Sequence, residues 1–344
     1  MRLSDFDYHL PQNLIAQKPK HPRDRSRLLI YNRQKDQIVH DKFFNITKYL
    51  QKGDLLVFND TKVFPARLLG NKQTGGKVEV LLLEQVKPKL WNAMVGAKNK
   101  KQGMQIIFND KLSAILKNRI SDIEWEVEFK YSGDFYTIIE TIGLVPIPPY
   151  IKSKEKQSKL KKEYQTIYAK KFGSAAAPTA GLHFTKKVLN QLKKKGIDFA
   201  NVTLHVGLGT FAPVREENIK KHKLHSEKVE INKTNLQKIL KAKKEGRRVI
   251  AIGTTSARVL EGVIGKKKIN DAWKGQVNIF IYPGYKFKVI DGIVTNFHLP
   301  KSSLIMMIAA LIGRKKILDI YKIAIKKKYR FYSFGDAMLV TNTH

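Results

Sequence analysis

The side chains best suited to chemistry near neutral pH are the histidines, because imidazole takes up and releases a proton in that range. The chain has nine of them. Five fall in short segments that also hold glycine or other polar residues: His183, His205, His222, His225 and His298. In HKLHSE, residues 222–227, two histidines stand three residues apart with Glu227 just beyond. Metal ligation, proton transfer and a purely structural pair all fit this spacing, and the segment alone leaves them open.

Polar residues also follow several apolar runs that are typical of buried strands. Asn59-Asp60-Thr61 follows LLVF, Gly253-Thr254-Thr255-Ser256 follows VIAI, and Asn296 follows IVT. Ligands of open α/β sheets bind beyond the carboxyl ends of the strands, so these loops are expected to converge on one cleft. The free N–H groups at a helix start after Gly253 suit a carboxylate or phosphate. An ordinary helix N-cap and an Asx turn are the structural alternatives for these loops.

The segment GSAAAPTAGLHFT, residues 173–185, is unusually poor in large side chains for a chain so rich in lysine. Bare backbone lets a ligand approach closely and leaves N–H and C=O groups open for hydrogen bonds. Tight packing of small residues against a neighbouring strand is the alternative.

Charge is the strongest feature of the composition. The chain has 65 Lys and Arg against 29 Asp and Glu, a net charge of +36. This excess predicts a polyanionic partner, most simply nucleic acid, although the codon bias of an AT-rich genome would also raise the lysine content. The absence of cysteine excludes disulfides and thiolate metal sites. The longest apolar run, 304–312, is far shorter than the roughly 20 residues of a membrane span, so we expect a soluble cytoplasmic protein without membrane contact.

The pattern of apolar residues changes along the chain and predicts an α/β fold. Residues 66–150 contain short β-rich runs separated by turns, which is typical of a small antiparallel barrel. After Tyr164, strands alternate with helices, including a helix over 184–197. We therefore predict a large mixed α/β domain, residues 1–65 and 151–344, with a smaller all-β barrel inserted at 66–150. Further predictions are a strand at 277–282, a strand pair or hairpin over 288–296 and a helix starting at Pro300.

Taken together, the segments resemble one known family, the S-adenosylmethionine:tRNA ribosyltransferase-isomerases of queuosine biosynthesis. No single motif is specific, but the ordered set covers essentially the whole chain. A small departure is Lys223-Leu224 between the two histidines of HKLHSE, where the family usually has a methionine before the second. The motifs are FNDTKVFPARL, TGGKVEVLLL, YQTIYA, AAAPTAGLHF, HVGLGTF, HKLHSE, IGTTSARVLE, DGIVTNFHLPKSSL and YRFYSFGDAML.

The resemblance implies a reaction and its participants. The ribosyl part of S-adenosylmethionine would be joined to 7-aminomethyl-7-deazaguanine at the tRNA wobble position and rearranged, giving epoxyqueuosine and releasing adenine and methionine. It also implies a two-domain fold with an inserted barrel, no metal, no cofactor beyond S-adenosylmethionine as co-substrate, and a monomer. The basic composition would serve the tRNA phosphates.

The resemblance also implies roles for named residues, since C5′ deprotonation, amine deprotonation and adenine protonation need acids and bases. In this interpretation the small-residue segment forms a wall of the nucleoside pocket with His183 at its rim. The expected catalytic residues are His183, His205, His225, Glu227 and His298. The expected S-adenosylmethionine ligands are Ala177, Pro178, Thr179, Gly181, Gly253, Thr254, Thr255, Ser256 and Asn296. The expected tRNA-substrate ligands are Asn59, Asp60, Thr61, Arg67, Tyr282, Arg23 and Arg27.

Overall fold

A computed structural model describes residues 1–152, 155–207, 216–222, 224, 226–266 and 269–342. The strands are β1 Arg27–Asn32, β2 Gln37–Lys42, β3 Leu55–Asn59, β4 Thr61–Val63, β5 Arg67–Lys72, β6 Lys77–Lys87, β7 Leu90–Gly96, β8 Gln105–Ile107, β9 Leu112–Arg119, β10 Glu124–Tyr131, β11 Lys171–Ser174, β12 Asp198–Leu204, β13 Glu227–Ile231, β14 Val249–Ile252, β15 Trp273–Val277, β16 Gly292–Asn296 and β17 Ala337–Thr341. The α-helices are α1 Phe135–Ile142, α2 Gln157–Glu163, α3 Lys186–Lys194, α4 Lys233–Lys244, α5 Thr254–Val259, α6 Ser303–Ile312 and α7 Arg314–Lys326.

A nine-stranded mixed sheet forms the body of the larger part, in the order β15-β13-β12-β3-β14-β16-β17-β1-β2. Strands β12, β3, β14 and β16 run parallel to one another, and apolar clusters cover both faces of the sheet. Such two-sided burial explains why LLVF and VIAI are continuous apolar runs rather than alternating ones. Since the four strands are parallel, their carboxyl ends meet at one edge of the sheet.

Strands β5 to β10 close into a six-stranded antiparallel barrel, in the order β10-β7-β6-β5-β8-β9. Along β6, β7 and β10 the side chains alternate between buried and less buried, as the two-residue period of a strand requires. Trp91 and Phe129 belong to the barrel core. The predicted fold class, a mixed α/β part with an all-β barrel, is confirmed. The exact domain boundaries stay a prediction.

Three predicted elements differ from the structure around the last strands of the sheet. In place of a strand over 277–282, β15 ends at Val277, because its partner β13 begins there, opposite Glu227. In place of a hairpin over 288–296, only β16 forms; the N–H groups of 288–290 donate to the Glu261 carboxylate instead of to a strand. The helix expected at Pro300 begins at Ser303, since the Ser302 hydroxyl caps it.

Helix α3 lies within the predicted range 184–197. The Thr185 hydroxyl accepts a hydrogen bond from Val188 N at its start, and Gly196 follows its end with a φ of +77°. Among the described residues, no helix is both long and apolar enough to cross a lipid bilayer.

Candidate active site

A cavity of about 440 Å³ opens at the carboxyl ends of β14 and β16, at the centre of the sheet edge. Its walls come from segments far apart in the sequence, including 177–180, the loops after β14 and β16, and residues 332–333. We call it the central cavity. The predicted ligand and catalytic residues that line it are Ala177, Pro178, Thr179, Gly253, Thr254, Thr255, Asn296 and His298.

The small-residue segment 173–185 serves packing and the cavity at once. Ala177 to Ala180 line the central cavity, whereas a Cβ at Gly181 would lie 1.8 Å from the Tyr168 hydroxyl oxygen. Gly181 therefore meets a neighbouring ring and is not part of the cavity lining, so both interpretations of the segment hold at different positions. Gly253 has a φ of +88°, a conformation that favours glycine, and a Cβ there would lie 3.6 Å from the Ala180 Cβ.

Asn296 ends β16 and holds this wall in place. Its Oδ1 accepts a hydrogen bond from the Thr179 hydroxyl at 3.0 Å. Its Nδ2 lies 3.2 Å from both the Tyr332 carbonyl oxygen and His183 Nε2. The amide of Asn296 is therefore oriented by three protein groups before any ligand binds.

His183 lies behind this asparagine, which corrects its expected position at the rim of the pocket. The imidazole is 4% exposed and stacks near Phe43, with ring centroids 5.1 Å apart. Because Nε2 accepts from the Asn296 amide, Nδ1 carries the proton and donates to the Ser26 hydroxyl, 2.8 Å away. Burial lowers the pKa of His183 to about 3, helped by the charges of Arg330 and Arg23. The geometry makes His183 a neutral positioning residue for Asn296.

His298 is the predicted histidine that lines the central cavity. Its Nε2 lies 2.7 Å from the Thr295 hydroxyl, and its backbone N–H donates to the Tyr321 hydroxyl at 2.9 Å. The Tyr8 hydroxyl donates to its carbonyl oxygen. Burial lowers the pKa of His298 to about 3. A neutral imidazole is therefore held firmly at the cavity wall, where it can accept or donate a hydrogen bond.

These two histidines should make the protein sensitive to mild acid. The unfolded chain binds protons near pH 6.5, whereas the native pKa values are about 3, so stability is full above pH 6.5 and falls as the pH drops towards 3. Each histidine should contribute roughly 2 kcal/mol to the loss of unfolding free energy between pH 7 and pH 5. Denaturant melts at both pH values should show a smaller loss for His183→Gln than for the unaltered protein. An equal loss in both would contradict the buried neutral state of His183.

The loop after β14 provides hydroxyl groups with different surroundings. Helix α5 begins at Thr254 and continues directly into a π-helical turn, Leu260–Ile264. Thr254 and Thr255 line the central cavity, and the Thr255 hydroxyl accepts a hydrogen bond from Asn59 Nδ2 at 3.2 Å. Ser256 is fully buried, and its hydroxyl donates to the Ile252 carbonyl oxygen at 2.8 Å. It therefore does not line the central cavity.

Asn59, Asp60 and Thr61 connect β3 to the elements on either side of it. The Asn59 side chain bonds to both backbone groups of Leu204, and the Asp60 carboxylate accepts from the Thr203 hydroxyl at 2.6 Å. Burial raises the pKa of Asp60. All three are nearly or fully buried and none lines the central cavity. These three residues were predicted to bind substrate, but in the structure they hold neighbouring strands together at the sheet edge.

A second cavity of about 610 Å³, the barrel cleft, lies between the barrel and the end of β12. His205 and Glu227 line it, together with the barrel residues Trp91 and Glu84. His205 Nδ1 lies 2.9 Å from the Thr61 hydroxyl, and a Cβ at Gly173 would come within 2.9–3.2 Å of the His205 ring. Burial lowers the pKa of His205, so this imidazole is also held in its neutral form.

Glu227 forms an ion pair with Arg258 beneath the barrel cleft. Both side chains are at least 95% buried, and the Arg258 Nη1 and the Glu227 Oε2 are in direct contact. The sequence analysis did not identify Arg258. Its position between apolar residues in the motif SARVLE was a signal that it is buried and pairs with an acidic residue. His225, the other predicted partner of Glu227, lies outside the described residues, so the expected His225–Glu227 pair stays a prediction.

The remaining predicted tRNA ligands lie away from both cavities. Arg67 pairs with Glu79 on the barrel, and Tyr282 packs against Phe280. Arg23 donates to the carbonyl oxygens of residues 162, 163 and 165. Arg27 donates to the Lys327 carbonyl oxygen, and its guanidinium carbon lies 3.8 Å from the centroid of the Tyr329 ring. Each of these groups already has partners within the protein.

The central cavity and the barrel cleft meet at the end of β12. Val206 lines the first, whereas its neighbours His205 and Gly207 line the second. Two adjoining cavities at the carboxyl edge of an α/β sheet, with neutral imidazoles in their walls, are typical of an enzyme of the α/β class. Comparison with known families makes this specific: residues 3–340 match the family described as "Queuosine biosynthesis protein", and the chain belongs to that family.

The relatives agree with this assignment and confirm the family expected from the motifs. A protein of Carboxydothermus hydrogenoformans named S-adenosylmethionine:tRNA ribosyltransferase-isomerase is 50% identical over 99% of this chain and 100% of its own length. A Halothermothrix orenii protein of the same name is also 50% identical, with the same coverage. The crystal structure of S-adenosylmethionine tRNA ribosyltransferase from Thermotoga maritima is 36% identical, covers 98% of this chain and 100% of its own, and has a TM-score of 0.57.

Proposed function

We propose that this protein transfers and isomerises the ribosyl part of S-adenosylmethionine onto 7-aminomethyl-7-deazaguanine at the wobble position of tRNA. The products are epoxyqueuosine-tRNA, adenine and methionine. The single observation that supports this most strongly is the central cavity. Eight of the residues expected from the family motifs, drawn from separate parts of the chain, line one space of about 440 Å³.

The lining of the central cavity supports a site for S-adenosylmethionine. Tyr150 and Tyr332 line it with ring centroids 4.6 Å apart, giving an aromatic wall for adenine. Thr254 and the helix start behind it supply hydroxyl and N–H donors for the methionine carboxylate. Neutral His298 avoids the repulsion that an imidazolium would exert on the cationic sulfonium.

The barrel cleft suits the acceptor base, which carries an aminomethyl group that is cationic when protonated. Glu227 and Glu84 line this cleft, and their carboxylate oxygens would accept hydrogen bonds from that ammonium group. Each carboxylate already has a cationic partner, Arg258 and Lys228 respectively. His205 stands at the boundary with the central cavity and, being neutral, can accept the proton that the ammonium must lose before it attacks as an amine. The assignment of the base and S-adenosylmethionine to adjoining cavities is supported by the sequence neighbours of Val206: Val206 lines the central cavity, and His205 and Gly207 line the barrel cleft.

The proton balance of the reaction gives the two histidines that line the cavities, His205 and His298, a role. The sulfonium acidifies the C5′ protons of S-adenosylmethionine, and in this proposal the His298 imidazole takes one of them. Formation of the bond to the aminomethyl nitrogen releases a proton. Adenine takes up a proton as it leaves. Methionine leaves with the electron pair of the C–S bond. The reaction uses S-adenosylmethionine as co-substrate and no further cofactor.

An activity assay tests the proposal directly. The protein, S-adenosylmethionine and tRNA carrying 7-aminomethyl-7-deazaguanine should yield adenine and methionine, with and without a chelator. Unmodified tRNA should yield neither product. Release that needs a metal would support a metal-dependent hydrolase, and tight tRNA binding without any release would support a binding protein.

Thr254→Val should weaken S-adenosylmethionine binding roughly tenfold or more, because one hydrogen bond to a charged group is worth about 1.5–3 kcal/mol. The affinity for tRNA should be nearly unchanged. Ser256→Ala is the matched control, since its hydroxyl faces the Ile252 carbonyl oxygen. Calorimetric titration of each variant with both ligands measures this. A loss of tRNA binding alone would move the S-adenosylmethionine site elsewhere.

A further inference from the structure

Three exposed cations surround a depression near the N-terminal end of β1. Lys20, Arg25 and Lys42 line it, with the exposed ring of Phe44 beside them. Within the described part of the chain, none of the three cations forms an ion pair. We call this site the basic depression.

The arginines of the same segment behave differently. Arg23 and Arg27 donate to backbone carbonyl oxygens, and Arg27 also covers the Tyr329 ring. Arg25 stands between them, at the end of a short 3₁₀ helix, and is exposed. Of the three closely spaced arginines, it is therefore the one placed to meet a partner.

The acidic residues near the basic depression are engaged elsewhere. Asp24 accepts a hydrogen bond from the Thr185 hydroxyl at 2.7 Å. Asp41, the neighbour of Lys42, accepts from Asn45 and from the Tyr49 hydroxyl. Glu163 contacts His21 Nε2, on the rim of the depression, at 3.1 Å. The local charge of the depression is therefore positive.

The topology places this positive charge at the same edge of the sheet as the central cavity. β17 is antiparallel to β16 and parallel to β1, so the start of β1 lies level with the end of β16. Lys42 ends β2 opposite Arg27, the first residue of β1. Three strand spacings separate β16 from β2, a distance of about 14 Å. A bound nucleic acid could therefore contact the depression while one of its bases enters the active site.

We propose that the basic depression binds the phosphodiester backbone of the tRNA substrate, outside the site of chemistry. This inference rests on the proposed function, since it assumes that tRNA is the partner. Lysine and arginine side chains that form no ion pair with the described residues supply the charge that phosphate binding needs, and each neutralised phosphate releases counterions. Phe44 offers a face against which an unpaired base or a ribose can pack.

The test compares two triple variants of equal charge change. The first is Lys20→Ala, Arg25→Ala, Lys42→Ala. The control is Lys52→Ala, Lys194→Ala, Lys244→Ala, whose lysines are exposed and without ion pairs among the described residues. They precede β3, β12 and β14 and so lie at the opposite edge of the sheet. Affinity for tRNA is measured over a series of salt concentrations.

For the first variant, the slope of log K against log salt should become shallower by about 2–3, from three lost contacts. Its tRNA affinity should fall roughly tenfold or more at low salt, while kcat at saturating tRNA stays unchanged. The control should keep the slope and affinity of the unaltered protein. Equal slopes in both variants would overturn the docking site and leave the proposed function standing. No tRNA binding or turnover by the unaltered protein would instead overturn the proposed function.

Discussion

Replacing His298 by alanine is expected to lower turnover about 10²–10⁴-fold, the usual contribution of a general acid or base. The imidazole lines the central cavity and is neutral, because burial holds its pKa at about 3. The variant should still fold, since the backbone N–H of residue 298 keeps its bond to Tyr321. Steady-state rates and melting temperature, measured on the same preparation, give the result.

Thr295→Val is the matched control for this substitution. It removes the hydroxyl that contacts His298 Nε2 and leaves the imidazole itself. A smaller loss of rate is expected, because the ring becomes less well oriented but remains able to transfer a proton. A folded His298→Ala protein with a near-normal rate would remove His298 from the mechanism.

Replacing Glu227 by glutamine is expected to reduce the unfolding free energy by about 3–5 kcal/mol, because it leaves Arg258 charged and buried without its counter-ion. Arg258 is 3% exposed, and its Nε and Nη2 have no hydrogen-bond partner among the described residues. Turnover by the remaining folded protein should also fall at least 100-fold, since the carboxylate lines the barrel cleft beside His205. Denaturant melts and rates normalised to folded protein measure the two effects.

The double substitution Glu227→Leu, Arg258→Met separates these effects. Exchange of a buried ion pair for apolar side chains of similar size is often neutral or stabilising. The double variant should therefore recover stability and remain slow. Recovery of both stability and rate would show that the pair is only structural.

The sequence predicted the fold class and the meeting of several loops at one edge of the sheet, because both depend on local patterns. Continuous apolar runs marked the buried strands β3 and β14, and the residues directly after them had to meet at one edge. The strand expected at 277–282 was wrong because its apolar residues, such as Ile279, pack on the core without a strand partner. A run of apolar residues does not itself encode which strand it pairs with in the sheet.

The depth of side chains behind the cavity could not be predicted in the same way. His183 lies three residues after the lining residue Ala180, and Asn59 ends a strand at the same sheet edge. Both are nevertheless buried and bonded to protein groups from distant segments. Arg23 and Arg27 looked like a phosphate-binding pair, but backbone carbonyl oxygens of residues brought close only by folding occupy them. Charge and spacing identify candidates, and tertiary contacts decide which of them remain accessible.

The transfer of the ribosyl group can be followed with S-adenosylmethionine carrying ¹³C in every ribose carbon. After incubation with this protein and tRNA containing 7-aminomethyl-7-deazaguanine, the tRNA is digested and its nucleosides are analysed by mass spectrometry. We predict that all five labelled carbons appear in the modified wobble nucleoside and that the released adenine is unlabelled. Unlabelled tRNA, or a mass gain of one methyl group from the sulfonium, would contradict ribosyl transfer and with it the assignment of the two cavities.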